Sequence, residues 1–255
     1  MEQETSESYG FGVQPLWKSD GDSTTPIEQE IATHQLVTLE ALNVFIEDYG
    51  FYNTDGTTMF AIALYLMAAS ALPDREEIGV AFAGHFHDPD TDLNFLGQAW
   101  PTAATRASTH YHIAYTHLKK NVNMDITSDE FMNILERLGK CLHYVQDACE
   151  PHHASNVIAI LSSHSDFEAY VETNIDACLQ DISVPTEFYV QNRTISVFAI
   201  TDDAAKQAKP LFEAVANKKD QSQWSTVGKI CIRNSVQYSA SVIYKLFYEC
   251  NAPFI

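Results

Sequence analysis

Histidine and carboxylate side chains four residues apart occur twice in a short stretch of this chain. His143 and Asp147 lie in LHYVQD, and His164 and Glu168 lie in HSDFEAYVE. On a helix this spacing puts both donors on one face, one turn apart. Imidazole nitrogen and carboxylate oxygen are both ligands of Zn²⁺, so each pair is a workable chelate. Between the pairs, Pro151 ends the first helix and lets His153 fold back toward the same face. One such pair alone would be an ordinary surface or core histidine beside an acid. Two pairs and a further histidine within residues 143–168 favour a metal cluster, and Leu142, Tyr144 and Val145 give the acids an apolar flank.

A second source of donors is the loop AFAGHFHDPD, residues 81–90. His85 sits there between aromatics beside a turn. His87 and Asp88 are further candidates, although Asp88-Pro89-Asp90 has a sufficient reason to exist as a turn. His110, His112 and His117 form another group, but their spacing does not put all three on one helical face. They read as structural or solvent-facing.

The elements that position these residues are mostly helical. Pro26 opens a helix whose apolar positions Ile31, Leu36, Leu39, Leu42 and Ile46 continue to Tyr49. Asn53-Thr54-Asp55-Gly56 is a turn, and a helix over about 57–71 stops before Pro73. Residues 73–101, punctuated by Gly and Pro, read as loop. Further helices are expected at about 102–121, 127–148, 164–181, 201–217 and 224–249, with Ser128 starting the second of these. The β-branched and aromatic stretch 183–200 reads as extended. Neither a repeat nor a linker interrupts the pattern. The expected fold is all-α: a flexible N-terminal segment, residues 1–25, then one helical bundle over 26–255 around a polar site.

Composition excludes several functions. The 255 residues are 45% hydrophobic, enough for one sizeable core, and carry a formal net charge of −19 from 34 acids and 15 Lys plus Arg. That balance disfavours nucleic-acid backbones and anionic lipid surfaces, and it suits collection of divalent cations. The five cysteines fit neither a disulfide framework nor a thiolate zinc site, and read as small buried residues of a reducing compartment. No segment is long and apolar enough to span a membrane. The start, MEQETSESYG, lacks the regions of a signal peptide. As written, the chain is expected to be cytoplasmic; it is secreted if a signal has been removed.

Three motifs carry a resemblance: HF-x-DPD from His85, LHY-x-x-D-x-x-x-P-x-H ending at His153, and HSDFE from His164. They resemble the zinc-dependent phospholipases C of Bacillus and Clostridium and, more distantly, the P1 nucleases. The likeness covers about residues 74–172 and extends back to 34. It implies an all-helical domain with three zinc ions in a cleft. By that resemblance His85, His143 and Asp147 hold one zinc, and His153, His164 and Glu168 a second. Asp147 bridges to a third zinc with His34. Trp17 completes that third site only if processing makes it the N-terminus. Asp74 is the implied catalytic aspartate, and Phe82 the residue that touches the substrate headgroup. Arg75 stands where the family has an aromatic residue, and its cation suits an anionic or doubly charged phosphate.

The resemblance implies hydrolysis of a phosphate ester by a zinc-bound water, which needs no Ser or Cys nucleophile. Asp74 would orient or deprotonate that water. Asp88, Glu150 or backbone carbonyls are candidates to orient the histidines. The expected partner is a phospholipid headgroup or a small phosphate ester. Two other readings remain open: a phosphatase or nuclease-like hydrolase of a small soluble phosphate, and a non-catalytic metal-binding protein of the same fold.

Overall fold

The computed structural model describes residues 32–50, 55–77, 79–160 and 162–252. Trp17 and the expected flexible segment 1–25 lie outside them. The described residues are helical, with no strand among them; the only β feature there is an isolated bridge between Asp88 and Leu93. The all-α expectation therefore holds.

Helix α1 runs Thr33–Tyr49 and α2 Gly56–Ser70, where Asp55 caps α2 by accepting from Thr57 N–H and Thr58 N–H. The expected loop 73–101 is more ordered than its composition implied. It contains α3, Leu72–Glu76, with Pro73 in its first turn, and a 3₁₀ helix at Gly79–His85. Pro is tolerated where an N–H has no helical partner, and Gly79, at φ 63°, takes the left-handed turn between the two.

Helix α4, Ala103–Lys120, and helix α5, Asp129–Asp147, match expectation closely. Ser128 Oγ accepts from Phe131 N–H, and Asp129 and Glu130 occupy the positive first turn of α5. In its first half α5 buries one stripe, Phe131, Ile134 and Leu135; from Leu138 to Asp147 every residue is buried. The polar groups of that second half must therefore find protein partners. Helix α2 packs tightly on α5 at Gly139, where an added Cβ would lie 2.5 Å from Ala69 Cβ and 2.9 Å from Leu66 O.

The chain continues through α6, Pro151–Ala154, α7, His164–Thr173, α8, Ile175–Cys178, and α9, Thr186–Arg193. The helix expected over 164–181 is thus broken at Asn174. The extended stretch expected over 183–200 is wrong, because α9 and the start of α10, Val197–Ala208, occupy it. Tyr189 and Asn192, three apart, are the buried residues of α9. Tyr189 meets Tyr49 and Tyr244, and Asn192 donates to Ser241 Oγ. Helically spaced tertiary contacts outweigh the local β preference. A 3₁₀ turn and α11, Phe212–Val215, lead to the long α12, Trp224–Cys250, which packs against α1, α5, α9 and α10. All five cysteines are free and buried. No helix among the described residues is long and apolar enough to cross a membrane.

Candidate metal centre

The buried end of α5 collects residues from across the chain. Asp147 Oδ2 lies 2.9 Å from His85 Nδ1 and 3.2 Å from His143 Nε2; Asp147 Oδ1 lies 3.4 Å from His34 Nε2. His85 Nδ1 and His143 Nε2 are 3.0 Å apart. Asp74 Oδ1 stands 3.6 Å from the first nitrogen and 3.5 Å from the second. The resemblance implied Asp74 only as a base, whereas its oxygen also stands among these donors. Its side chain is 19% exposed, against 2% for Asp147, so it forms the open side of the group.

A second group adjoins the first. His164 Nε2 is 3.0 Å from Glu168 Oε1, and His153 Nε2 is 3.5 Å from the same oxygen. The turn at Pro151 does fold His153 back, for His153 Nδ1 reaches to 3.9 Å from Asp147 Oδ1. Glu150 is 3.8 Å from His164 Nε2, farther than Glu168, and it has other partners. Glu150 Oε2 accepts His153 N–H as the cap of α6, and Oε1 accepts from His152 Nδ1–H.

Four of these histidines are oriented alike. His34 Nδ1–H donates to Gln146 Oε1, and the Gln146 amide donates in turn to Thr38 Oγ1 and Ser239 Oγ. His143 Nδ1–H donates to Ser70 O, His153 Nδ1–H to His85 O, and His164 Nδ1–H to Val157 O. Each acceptor holds the proton on Nδ1 and leaves the Nε2 lone pair facing carboxylate oxygens. Such an arrangement needs an added proton or a cation between the groups. Of the acceptors expected from sequence, only backbone carbonyls serve here. Asp88 instead pairs with Lys209. Gln146 and Ser70 were missed: an amide in a helix has no signature, and a carbonyl has none at all.

Electrostatics agree with this. Burial opposes charge on His143, but Asp147 and Asp74 outweigh it and raise its pKa to about 9. Burial likewise opposes charge on His153, and Asp147, Glu168 and Glu150 raise it to about 10. Burial would raise the carboxyls, yet the histidines hold Asp147 well below its ordinary range and bring Glu168 to about 2. Excess negative charge in a buried pocket is what favours the protonated histidines, and the same field favours a metal ion.

The other candidates fall elsewhere. His87 Nε2 faces Asp202 Oδ1 of α10 at 3.0 Å, with Asp92 at 3.9 Å, and His87 Nδ1 has no acceptor. It lacks the orienting bond that the four site histidines share. His110 packs on Tyr144, and burial with nearby Arg137 lowers its pKa to about 4; His112 and His117 are exposed. Phe82 is exposed, its ring 4.7 Å from that of His85. Arg75 is exposed on α3, next to Asp74.

Fold and site together define an all-helical protein whose buried histidine–carboxylate groups can hold metal ions. The comparison with known proteins leads to the phospholipases C. Proteins of that name from Clostridium perfringens and Clostridium haemolyticum are 27% and 29% identical to this chain over 208 and 204 residues, covering 72% of it and 49% of each relative. The chain thus spans about half the length of the curated relatives it matches. The alpha toxin of Clostridium absonum shares the fold, with a TM-score of 0.71 at 20% identity, covering 86% of this chain and 63% of that one. A Clostridium perfringens alpha-toxin from an avian strain does so with a TM-score of 0.70 at 23% identity, covering the same shares. No family model matches the chain. The resemblance read from the three motifs is borne out.

Proposed function

We propose that this chain is a zinc-dependent hydrolase of phosphate esters, a phospholipase C-like phosphodiesterase whose helical domain spans residues 26–255. The observation that carries the reading is the set of histidines whose outer nitrogens are tied to acceptors while their inner nitrogens converge on carboxylates. The donors suit zinc. Bonds of about 2.0–2.1 Å in a tetrahedron place ligand atoms roughly 3.4 Å apart. The first group's donors stand 2.9–3.6 Å apart. His85, His143 and Asp147 would hold one ion, with Asp74 on their open side, and His153, His164 and Glu168 a second. His34 with Asp147 would hold a third, completed by Trp17 if the mature chain starts there.

Zinc in these positions would neutralise phosphoryl charge and acidify a water. The protein's own groups do the rest. Asp74, on the open side, is the carboxylate placed to take a proton from the attacking water. Asp147 and Glu168 hold the histidine nitrogens in register. Phe82 forms the rim against which the substrate headgroup rests, and exposed Val80, Trp100 and Ile160 supply apolar surface suited to lipid. The Arg75 cation favours an anionic headgroup, and it is the observation behind a second reading, hydrolysis of a small soluble phosphate.

Zinc content of the purified protein, with phosphate release from phosphatidylcholine, nucleotides and small phosphomonoesters with and without chelator, tests the proposal. Two or three zinc ions per chain and chelator-sensitive release are expected. Less than one zinc per chain, or release that chelator leaves unchanged, would overturn it.

A further inference from the structure

Glu77, just after α3, is held from one side. Tyr144 Oη–H donates to Glu77 Oε1 at 2.7 Å, and Arg106 Nη2 stands 3.3 Å from the same oxygen. The other oxygen, Oε2, is buried without a hydrogen-bond partner. So is His85 Nε2, and the two are 3.6 Å apart. Two buried polar atoms facing each other without a bond are unfavourable, and a movement of roughly half an ångström joins them. His85 is also the reverse of the other site histidines. They turn Nε2 inward and tie Nδ1 to an acceptor; His85 turns Nδ1 inward, so Nε2 is the atom that needs one.

We infer that Glu77 is the positioning residue of His85. By accepting Nε2–H it keeps the Nδ1 lone pair directed at His143, Asp147 and Asp74. Arg106 and Tyr144 claim the far oxygen of Glu77, which leaves Oε2 for His85. Arg106 is itself placed by Trp100, whose ring centre is 5.7 Å away, and by Gly84, where an added Cβ would stand 3.1 Å from Arg106 Nε. The inference rests on the metal-centre reading.

Glu77→Gln tests it. An amide has one acceptor oxygen, and the two donors, Tyr144 and Arg106, claim it. The NH₂ then faces His85 Nε2 and selects the Nδ1–H tautomer, which cannot bind metal through Nδ1. In competition with a chromophoric chelator, one zinc should weaken by about 10- to 100-fold while the zinc of the His153 group is unchanged. Glu77→Asp, which keeps a charged acceptor, should recover part of the loss. A purely structural Glu77 would lower the urea midpoint of the chelator-treated protein and leave both zinc affinities at wild-type values. That result, or equal weakening of every zinc, would overturn the inference. Wild-type protein that binds no zinc would instead overturn the metal-centre reading, and this inference with it.

Discussion

Asp147→Asn removes one charge and almost no volume. The carboxylate is buried and its two oxygens face four histidines, at 2.9 Å for His85, 3.2 Å for His143, 3.4 Å for His34 and 3.9 Å for His153. Removing one partner from a buried set of charges costs about 3–5 kcal/mol, since the others are left uncompensated. At roughly 1.4 kcal/mol per decade this is a loss of about two to three and a half powers of ten in metal affinity. The amide NH₂ can neither ligate nor accept, so it also sets a donor against nitrogens that need none. The shape of the side chain is kept, so the helical circular dichroism should match wild type. Zinc content after dialysis against a weak chelator is the assay. The ions bound through Asp147 should be lost, and the one held by His153, His164 and Glu168 retained. Wild-type stoichiometry and affinity in the variant would refute the bridging role.

Three further outcomes follow from the same geometry. Asp74→Asn leaves His85, His143 and Asp147 in place, so zinc should stay while turnover falls by about 10²–10⁴-fold; unchanged turnover in a phosphate-release assay would remove Asp74 from the role of base. Gly139→Ala would push a methyl group into Ala69 and the backbone of Leu66, and should cost about 1–3 kcal/mol in urea unfolding. It should also disturb the Ser70 carbonyl that holds His143, so a variant as stable as wild type would contradict the close approach of α2 and α5. In the chelator-treated protein, the raised pKa values of His143 and His153, about 9 and about 10, contribute stability that is fully present below the unfolded histidine value of about 6.5. That contribution is lost as pH rises through 9 to 10. The depressed Asp147 and Glu168, the latter at about 2, contribute stability above the ordinary carboxylate range of about 4 that is lost as pH falls below it. The urea midpoint should therefore peak between these limits, and a midpoint that does not change from pH 7 to pH 10 would contradict the assigned charges.

Part of this site is local and was legible in the sequence. His143 with Asp147, and His164 with Glu168, face each other because a helix turns once in just under four residues, whatever it packs against. Pro151 holds Glu150 extended and opens α6, with three residues between it and the end of α5, and this turn sends His153 back. The long helices α4, α5 and α12 fall where the sequence placed them, and Ser128 marked the start of α5. The stretch 183–200 misled because its β-branched residues describe a local preference, while Tyr189 and Asn192 answer to α1 and α12. Resemblance named His34 and Asp74, and the loop 81–90 offered His85, but only packing could bring them to Asp147. The orienting acceptors depended on packing altogether. Ser70, His85 and Val157 serve through backbone carbonyls. Every residue has one, so side-chain identity cannot reveal which of them will face a histidine. That choice belongs to helix placement, such as the contact at Gly139 that sets the end of α2 against α5.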